Sequence, residues 1–272
     1  MNNLSDIPFI KDNKAWYFLS VFYAHENWSE IVSKINLFRK ERKDKFCACL
    51  ISLSDEKGEH VEISISLPVV QGNMKDEIEQ FFLSFLKEFP SVCKKVFPYG
   101  KAVWCNYPNN TLLWSRFRII DLSGIYSDFH QLSFEYAMSL IENDTSPDTL
   151  FSACLYLITK GLFCIEHRKQ KTLLCNTLDE LSIDFKNFSH QNAVRELIDE
   201  RIDLQEICLT IDLYRDENEF SPELKEWIKS AKELINSYNF TFFCSSICTM
   251  LGLKGLQTLA IVELINIWYN RQ

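Results

Sequence analysis

The ten residues Gly58-Glu-His-Val-Glu-Ile-Ser-Ile-Ser-Leu67 alternate between side chains of opposite character, a pattern that an extended strand with two different faces satisfies. Val61, Ile63 and Ile65 fall on one face, and His60, Glu62, Ser64 and Ser66 on the other. A solvated sheet face and a polar pocket wall both remain open for the second set. Around this strand the periodicity switches repeatedly between two and 3.6 residues. Residues 15–23 read as a first strand, and Asn27-Trp-Ser-Glu30 then resembles a capping box before the helical stripe Trp28, Ile31, Val32, Ile35 and Phe38. Residues 45–54 and 59–67 form a hairpin around Asp55-Glu-Lys-Gly58, where glycine supplies the positive φ of a tight turn. A second stripe, Met74, Ile78, Phe81, Phe82, Phe85, Leu86 and Phe89, runs to Pro90, and strand-like runs at 101–107 and 111–120 complete the set.

Strand, helix, strand, strand, helix, strand is a ferredoxin-like order. From Tyr126 onward the chain reads as mostly helical. Ser146-Pro147-Asp148 offers a cap followed by proline at the first helical position, residues 223–238 are amphipathic, and 240–269 are apolar nearly all round. The predicted class is α+β: a ferredoxin-like βαββαβ sub-domain with an antiparallel sheet over 1–120, then a helical sub-domain over 121–272 packed against it as one compact unit.

Composition narrows the function. Apolar residues make up 47% of the 272, and 21 Phe, 10 Tyr and 6 Trp stand against 7 Gly and 7 Pro, so large rings fill a core and long loops are few. A net charge of −8 argues against nucleic acid, which needs clustered basic surface. The longest apolar stretches, 150–165 and 240–268, are interrupted by Lys160 and Lys254, which predicts buried helices and no membrane span. With nothing like a signal peptide in 1–14, a cytoplasmic location is expected. None of the ten cysteines falls in a Cys-x-x-Cys pair. Cys47 with Cys49, and Cys244 with Cys248, lack a second half at zinc spacing, so buried thiols and no metal are expected. Phosphate loops, Gly-x-Ser-x-Gly elbows, His-Glu-x-x-His and kinase signatures are all missing.

The strand at 58–67 resembles, at the same place in the chain, the Gly-x-His-Leu-Arg-Leu-Arg strand of the small-domain family of lantibiotic and thiopeptide dehydratases. Ser245-Ser-Ile-Cys-Thr-Met-Leu-Gly-Leu-Lys254, with Glu263 downstream, is similar to that family's Ser-Leu-Ile-His-Met-His-x-Asn-Arg segment, and Asn106-Tyr-Pro-Asn109 echoes a Tyr-x-Pro-Glu element. In the family's eliminases, the resemblance implies, arginines and a histidine remove glutamate from glutamyl esters of Ser or Thr. Here Glu62 and Ser64 replace the arginines, while Thr249 and Leu251 replace the histidines. A carboxylate leaving group is recognised best by a cationic fork, and α-proton removal needs a base. Glu62 repels the first, and Thr249 is not the second.

The branch that this pattern resembles is the thiopeptide pyridine synthases, which act on ribosomally made peptides in antibiotic biosynthesis. The resemblance implies a cofactor-independent formal [4+2] aza-cycloaddition of two dehydroalanines in a leader-bearing precursor peptide, losing water and leader to leave a pyridine-centred macrocycle. Candidate catalytic groups are Ser246, Thr249, Lys254, His60 and Tyr136, with Arg118, Glu62 and Ser64 as substrate-binding candidates. Each has a structural alternative. Helical Ser and Thr bond back to the preceding turn, Lys254 caps a helix end, His60 bonds a neighbour, and Tyr136 packs in the core. Arg39, Lys40, Arg42 and Lys43 form a basic run that is either a solvated helix end or a holder of an acidic leader beside an edge strand. A glutamate-eliminating partner and a non-catalytic leader-binding module are the alternatives. A second copy of the chain and other enzymes of the pathway are admissible partners.

Overall fold

The computed structural model describes residues 8–42, 44–68, 74–92, 107–114, 122–142, 144–183, 203–215 and 221–272. The chain divides into two compact units, Met1–Gln131 with Asn143–Ser146, and Leu132–Glu142 with Pro147–Gln272.

In the first unit the elements run β1 (Phe9–Lys11), β2 (Lys14–Phe22), α1 (Trp28–Glu41), β3 (Ala48–Ser54), β4 (His60–Pro68), α2 (Met74–Glu88) and β5 (Thr111–Trp114). All pairings are antiparallel. β3 lies beside β4, β4 beside β2, and the far edge of β2 is shared by β1 at residues 14–16 and β5 at 19–22. Leaving β1 aside, the order β5-β2-β4-β3 is the arrangement expected of a split βαβ unit, in which the first and third strands are central. The short β1 hairpin was not expected. The β3–β4 turn has the anticipated geometry, with positive φ at Lys57 (57°) and Gly58 (117°).

Helices α1 and α2 bury the predicted stripes, Ile31, Val32, Ile35 and Phe38 against Ile78, Phe82, Phe85 and Leu86. The Phe38 ring stands 6.0 Å from Phe82 and 4.3 Å from Phe81. α1 starts at Trp28 as read, but the Asn27 side chain makes no cap. It donates to Glu30 Oε1 instead, at 3.0 Å. Of the other sequence readings, the strand at 101–107 and most of that at 111–120 lie outside the described residues.

A further helix, α3 (Gly124–Leu140), begins in the first unit and ends in the second. The second unit continues with α4 (Pro147–Phe163), α5 (His167–Ile183), α6 (Leu204–Tyr214), α7 (Pro222–Ser237), α8 (Phe240–Met250) and α9 (Gly255–Tyr269). α7 starts on a Ser-Pro signal: Ser221 Oγ accepts from the Leu224 N–H, and Pro222 takes the first helical position. The apolar run 240–269 is two helices, parted by a C-terminal motif in which Gly252 (φ 80°) is left-handed. The Leu253 N–H reaches Cys248 O and the Gly252 N–H reaches Thr249 O. Among the described residues no helix is long and apolar enough to cross a membrane, and no cysteine is in a disulfide.

Candidate functional site

Strand register places three rows side by side on one face of the sheet: Phe22, His60 and Ser54; Ser20, Glu62 and Ser52; Phe18, Ser64 and Leu50. Alternation fixed this set in the sequence, but not its exposure. His60 is fully buried, Glu62 is 7% exposed, and Ser20, Ser52, Ser54, Ser64 and Ser66 are buried with them. The solvated-face reading is therefore wrong for this strand. The start of α3 lies over the face: Leu122 packs with Trp16, Ala48 and Leu50, and His130 Nε2 meets Ser52 Oγ at 3.1 Å.

Two imidazoles mark this interior. His60 Nδ1 lies 2.7 Å from Gly58 O, a carbonyl that only accepts, so this nitrogen carries hydrogen. Nε2 then faces Glu62 Oε1 at 3.3 Å. Phe22 packs on the same ring at 4.9 Å. His130, which sequence reading passed over as one scattered histidine, is pushed down to about 4 by burial and is neutral at physiological pH. Its Nδ1, like Ser20 Oγ and Ser66 Oγ, is buried without a hydrogen-bond partner among the described residues. Tyr126, one helical turn earlier, brings its ring within 5.7 Å of the His130 ring.

Ser246, Thr249, Lys254 and Tyr136 belong to the second unit. Ser246 Oγ donates to Phe242 O at 2.7 Å, the back-bond that its helical setting allowed. Thr249, on the last turn of α8, is exposed. Lys254 is the exposed N-cap position of α9, where its backbone N–H donates to Gln257 Oε1 at 2.8 Å. Tyr136 and Tyr156 bring their hydroxyls within 3.2 Å, and the Tyr136 ring stacks 6.1 Å from Trp227. Burial is the main cause that raises the Tyr136 phenol above its ordinary value. Arg118 and Lys43 lie outside the described residues.

Of the basic run, Arg39 and Lys40 line a cavity of about 440 Å³ with Phe46, Cys47, Ala48, Cys49 and Gln131. Arg42 is engaged elsewhere. It pairs with Glu77 at 2.8 Å and Glu41 at 3.0 Å while lying 4.2 Å over the Phe38 ring. The hydrogen bond from Arg42 Nε, with a further one from Lys45, holds the Glu77 carboxyl below its usual range. Tyr107 and Asn109, from the weakest of the matching segments, do structural work: the Tyr107 ring lies 5.0 Å from Phe22, and Asn109 Nδ2 donates to Ser91 O at 2.8 Å.

Among the described residues, no cluster of His, Cys, Asp or Glu has the make-up of a metal site. The arrangement defines an α+β protein whose sheet unit buries a row of polar side chains beneath a helix. No protein-family model and no curated protein matches the chain. Among solved structures the fold is similar to that of the pyridine synthase TbtD from thiomuracin biosynthesis, with a TM-score of 0.65 over 94% of this chain and 99% of that one, at 13% identity. The resemblance drawn from the sequence thus holds at the level of the fold.

Proposed function

We propose that this chain is a peptide-modifying enzyme of the thiopeptide type, joining two dehydroalanines of a leader-bearing peptide by formal [4+2] aza-cycloaddition. The observation that carries the reading is fold similarity to a pyridine synthase over nearly the whole length, together with a strand that has lost the arginines of the glutamate-eliminating pattern.

One dehydroalanine reacts as an azadiene after its amide proton moves from nitrogen to oxygen. Two new C–C bonds, from the diene's methylene carbon and from its former amide carbon to the two alkene carbons, then close a six-membered ring that keeps the original nitrogen. The former amide oxygen leaves as water, and the leader leaves as its carboxamide, each departure taking one proton from the ring and returning it to the leaving group. Such chemistry calls for positioning and for a group that gives and takes protons, a role for which the imidazole of His60, 3.3 Å from the Glu62 carboxyl, is the candidate. Ser64 and Ser52, on neighbouring rows, add hydroxyl donors for an amide oxygen. Ser246 is the weaker candidate, because its hydroxyl proton is already given to Phe242 O.

β3 is an edge of the sheet among the described strands, and the Arg39–Lys40 cavity opens at its start. This pair of features favours holding an acidic leader there by backbone pairing and charge. The same features support a second reading, a leader-binding module without catalysis.

The test is incubation with a synthetic leader peptide whose core carries two dehydroalanines, followed by mass spectrometry. Loss of water with release of an intact leader amide is expected. Tight binding with no mass change would establish the binding module, and loss of glutamate from a glutamylated core would restore the eliminase.

A further inference from the structure

The helical unit contains a cavity of about 340 Å³ that the reading above leaves unused. Four cationic or ionisable nitrogen side chains reach it from separate parts of the chain: Lys160 from α4, His167 at the start of α5, Arg215 just after α6, and Lys232 from α7. Among the described residues no Asp or Glu side chain lines it, although acidic residues outnumber basic ones 37 to 29 in the chain. Lysine in the last turn of α4 complements that helix's dipole, which accounts for Lys160 alone. It does not account for Arg215 and Lys232 converging on the same opening.

Cys164 and Gln170, which line the cavity, add no negative charge to it. Cys164 donates its thiol to Lys160 O at 3.0 Å, and burial pushes that thiol up to about 11, so it adds no thiolate. Gln170 Nε2 donates to Leu162 O and Ile165 O, occupying carbonyls at the end of α4 that would otherwise repel an anion. The nearby carboxylate of Asp212 accepts from Trp268 Nε1 at 2.9 Å and from Gln272 Nε2 at 3.3 Å, and does not itself line the space. Flat apolar surface comes from Phe163, Tyr214 and Trp268, with the Phe163 and Trp268 rings 5.4 Å apart edge to face. Lys160 and Trp268 are buried, whereas Arg215, Lys232 and His167 are exposed at the rim.

We propose that this cavity is a binding site for a small anion carried on a planar ring, a carboxylate or phosphate borne by an aromatic body. The ring enters against Trp268 and Phe163, and the anion is held by Arg215, Lys232 and Lys160. Guanidinium and ammonium groups at a partly desolvated opening bind such anions through charge-assisted hydrogen bonds. The volume matches a ligand of one or two rings. The same chemistry comes either from a free metabolite or from an acidic residue beside an aromatic one in a peptide.

The experiment is calorimetric titration of the full chain with phenyl phosphate, benzoate and the neutral isostere benzamide. Both anions are expected to bind saturably, and benzamide about tenfold or more weakly, by the loss of one charge-assisted contact. The exposed-residue double variant Arg215→Gln/Lys232→Gln should lose about tenfold in affinity for the anions and leave benzamide unchanged. Equal binding of benzoate and benzamide, an unchanged double variant, or no saturable binding of either anion overturns the proposal. Competition by the blocked dipeptide acetyl-Asp-Phe-amide identifies a peptide source, and its failure to compete identifies a free ligand. None of these measurements depends on the cycloaddition.

Discussion

The two faces of β4 are both buried, yet one is apolar and the other polar. On one, Val61, Ile63 and Ile65 are at most 1% exposed, and the α1 and α2 stripes provide the apolar cover that a βαββαβ crossover brings to a sheet. On the other, His60, Glu62, Ser64 and Ser66 are 7% exposed or less under the start of α3. Burial of an apolar side chain stabilises by roughly 1.5–3 kcal/mol, whereas burial of a polar one costs free energy unless it is fully hydrogen-bonded. His130 Nδ1, Ser20 Oγ and Ser66 Oγ show that hydrogen bonding on the second face is incomplete. A core assembled for stability alone has no reason to retain them. The comparison gives the first face to folding and leaves the second for the proposed chemistry.

The largest effect expected from this division is on turnover. Glu62→Gln keeps size and hydrogen-bonding capacity but removes the carboxylate from His60, and the proposed cycloaddition should slow by roughly a hundredfold to ten-thousandfold. Mass-spectrometric rates are to be paired with circular dichroism, which should show the fold retained. Unchanged turnover would break the assignment of chemistry to this face. One residue along, Ile63→Ala should do the reverse, lowering stability by about 2–5 kcal/mol in a denaturant titration with little effect on turnover by the fraction that remains folded.

The same division explains what was legible in the sequence. Strand order and both helical stripes were readable because period 2 and period 3.6 are local signals that packing reinforced. The face on which each β4 side chain falls was readable for the same reason. Its burial was not, because alternation records which residues share a face and says nothing of what covers it. The cover comes from α3, which begins well downstream of β4, through contacts such as Ser52–His130, 78 positions apart. His130 was missed because one histidine on a largely apolar helix carries no spacing signal. The Ser246 back-bond was foreseen as the alternative for a helical serine, since it depends only on residues four apart. Arg42 read as part of a basic run, but Glu77 sits 35 positions away and no local pattern announces that pair.

His130 offers the next sharpening, through pH. Its ordinary value near 6.5 falls to about 4 in the folded chain because burial disfavours the imidazolium. Between those values the unfolded state binds more protons than the folded one, so stability rises with pH across this window. The contribution is complete above about 6.5 and is lost as pH falls through 4, amounting to roughly 3 kcal/mol. Denaturant midpoints at pH 7, 5.5 and 4 should show the decline, and His130→Gln should flatten it. An equal slope in the variant would mean that acid sensitivity arises elsewhere.

The smallest effect tests whether the polar face is kept at the expense of stability. Ser66 Oγ is a fully buried hydroxyl with no partner among the described residues, so Ser66→Ala removes a desolvated group without breaking a hydrogen bond. The small void left behind offsets part of the gain, and the net change should be neutral to about 1 kcal/mol stabilising. At Ser52, which is bonded to His130, the same truncation leaves the imidazole nitrogen Nε2 without this contact and should instead destabilise by about 1–3 kcal/mol. Two serines on one face, each changed to alanine, are therefore expected to differ in sign. If both destabilise equally, Ser66 has a partner that folding requires. If Ser66→Ala stabilises while turnover falls, the hydroxyl is retained for substrate, and stability has been given up at this position for function.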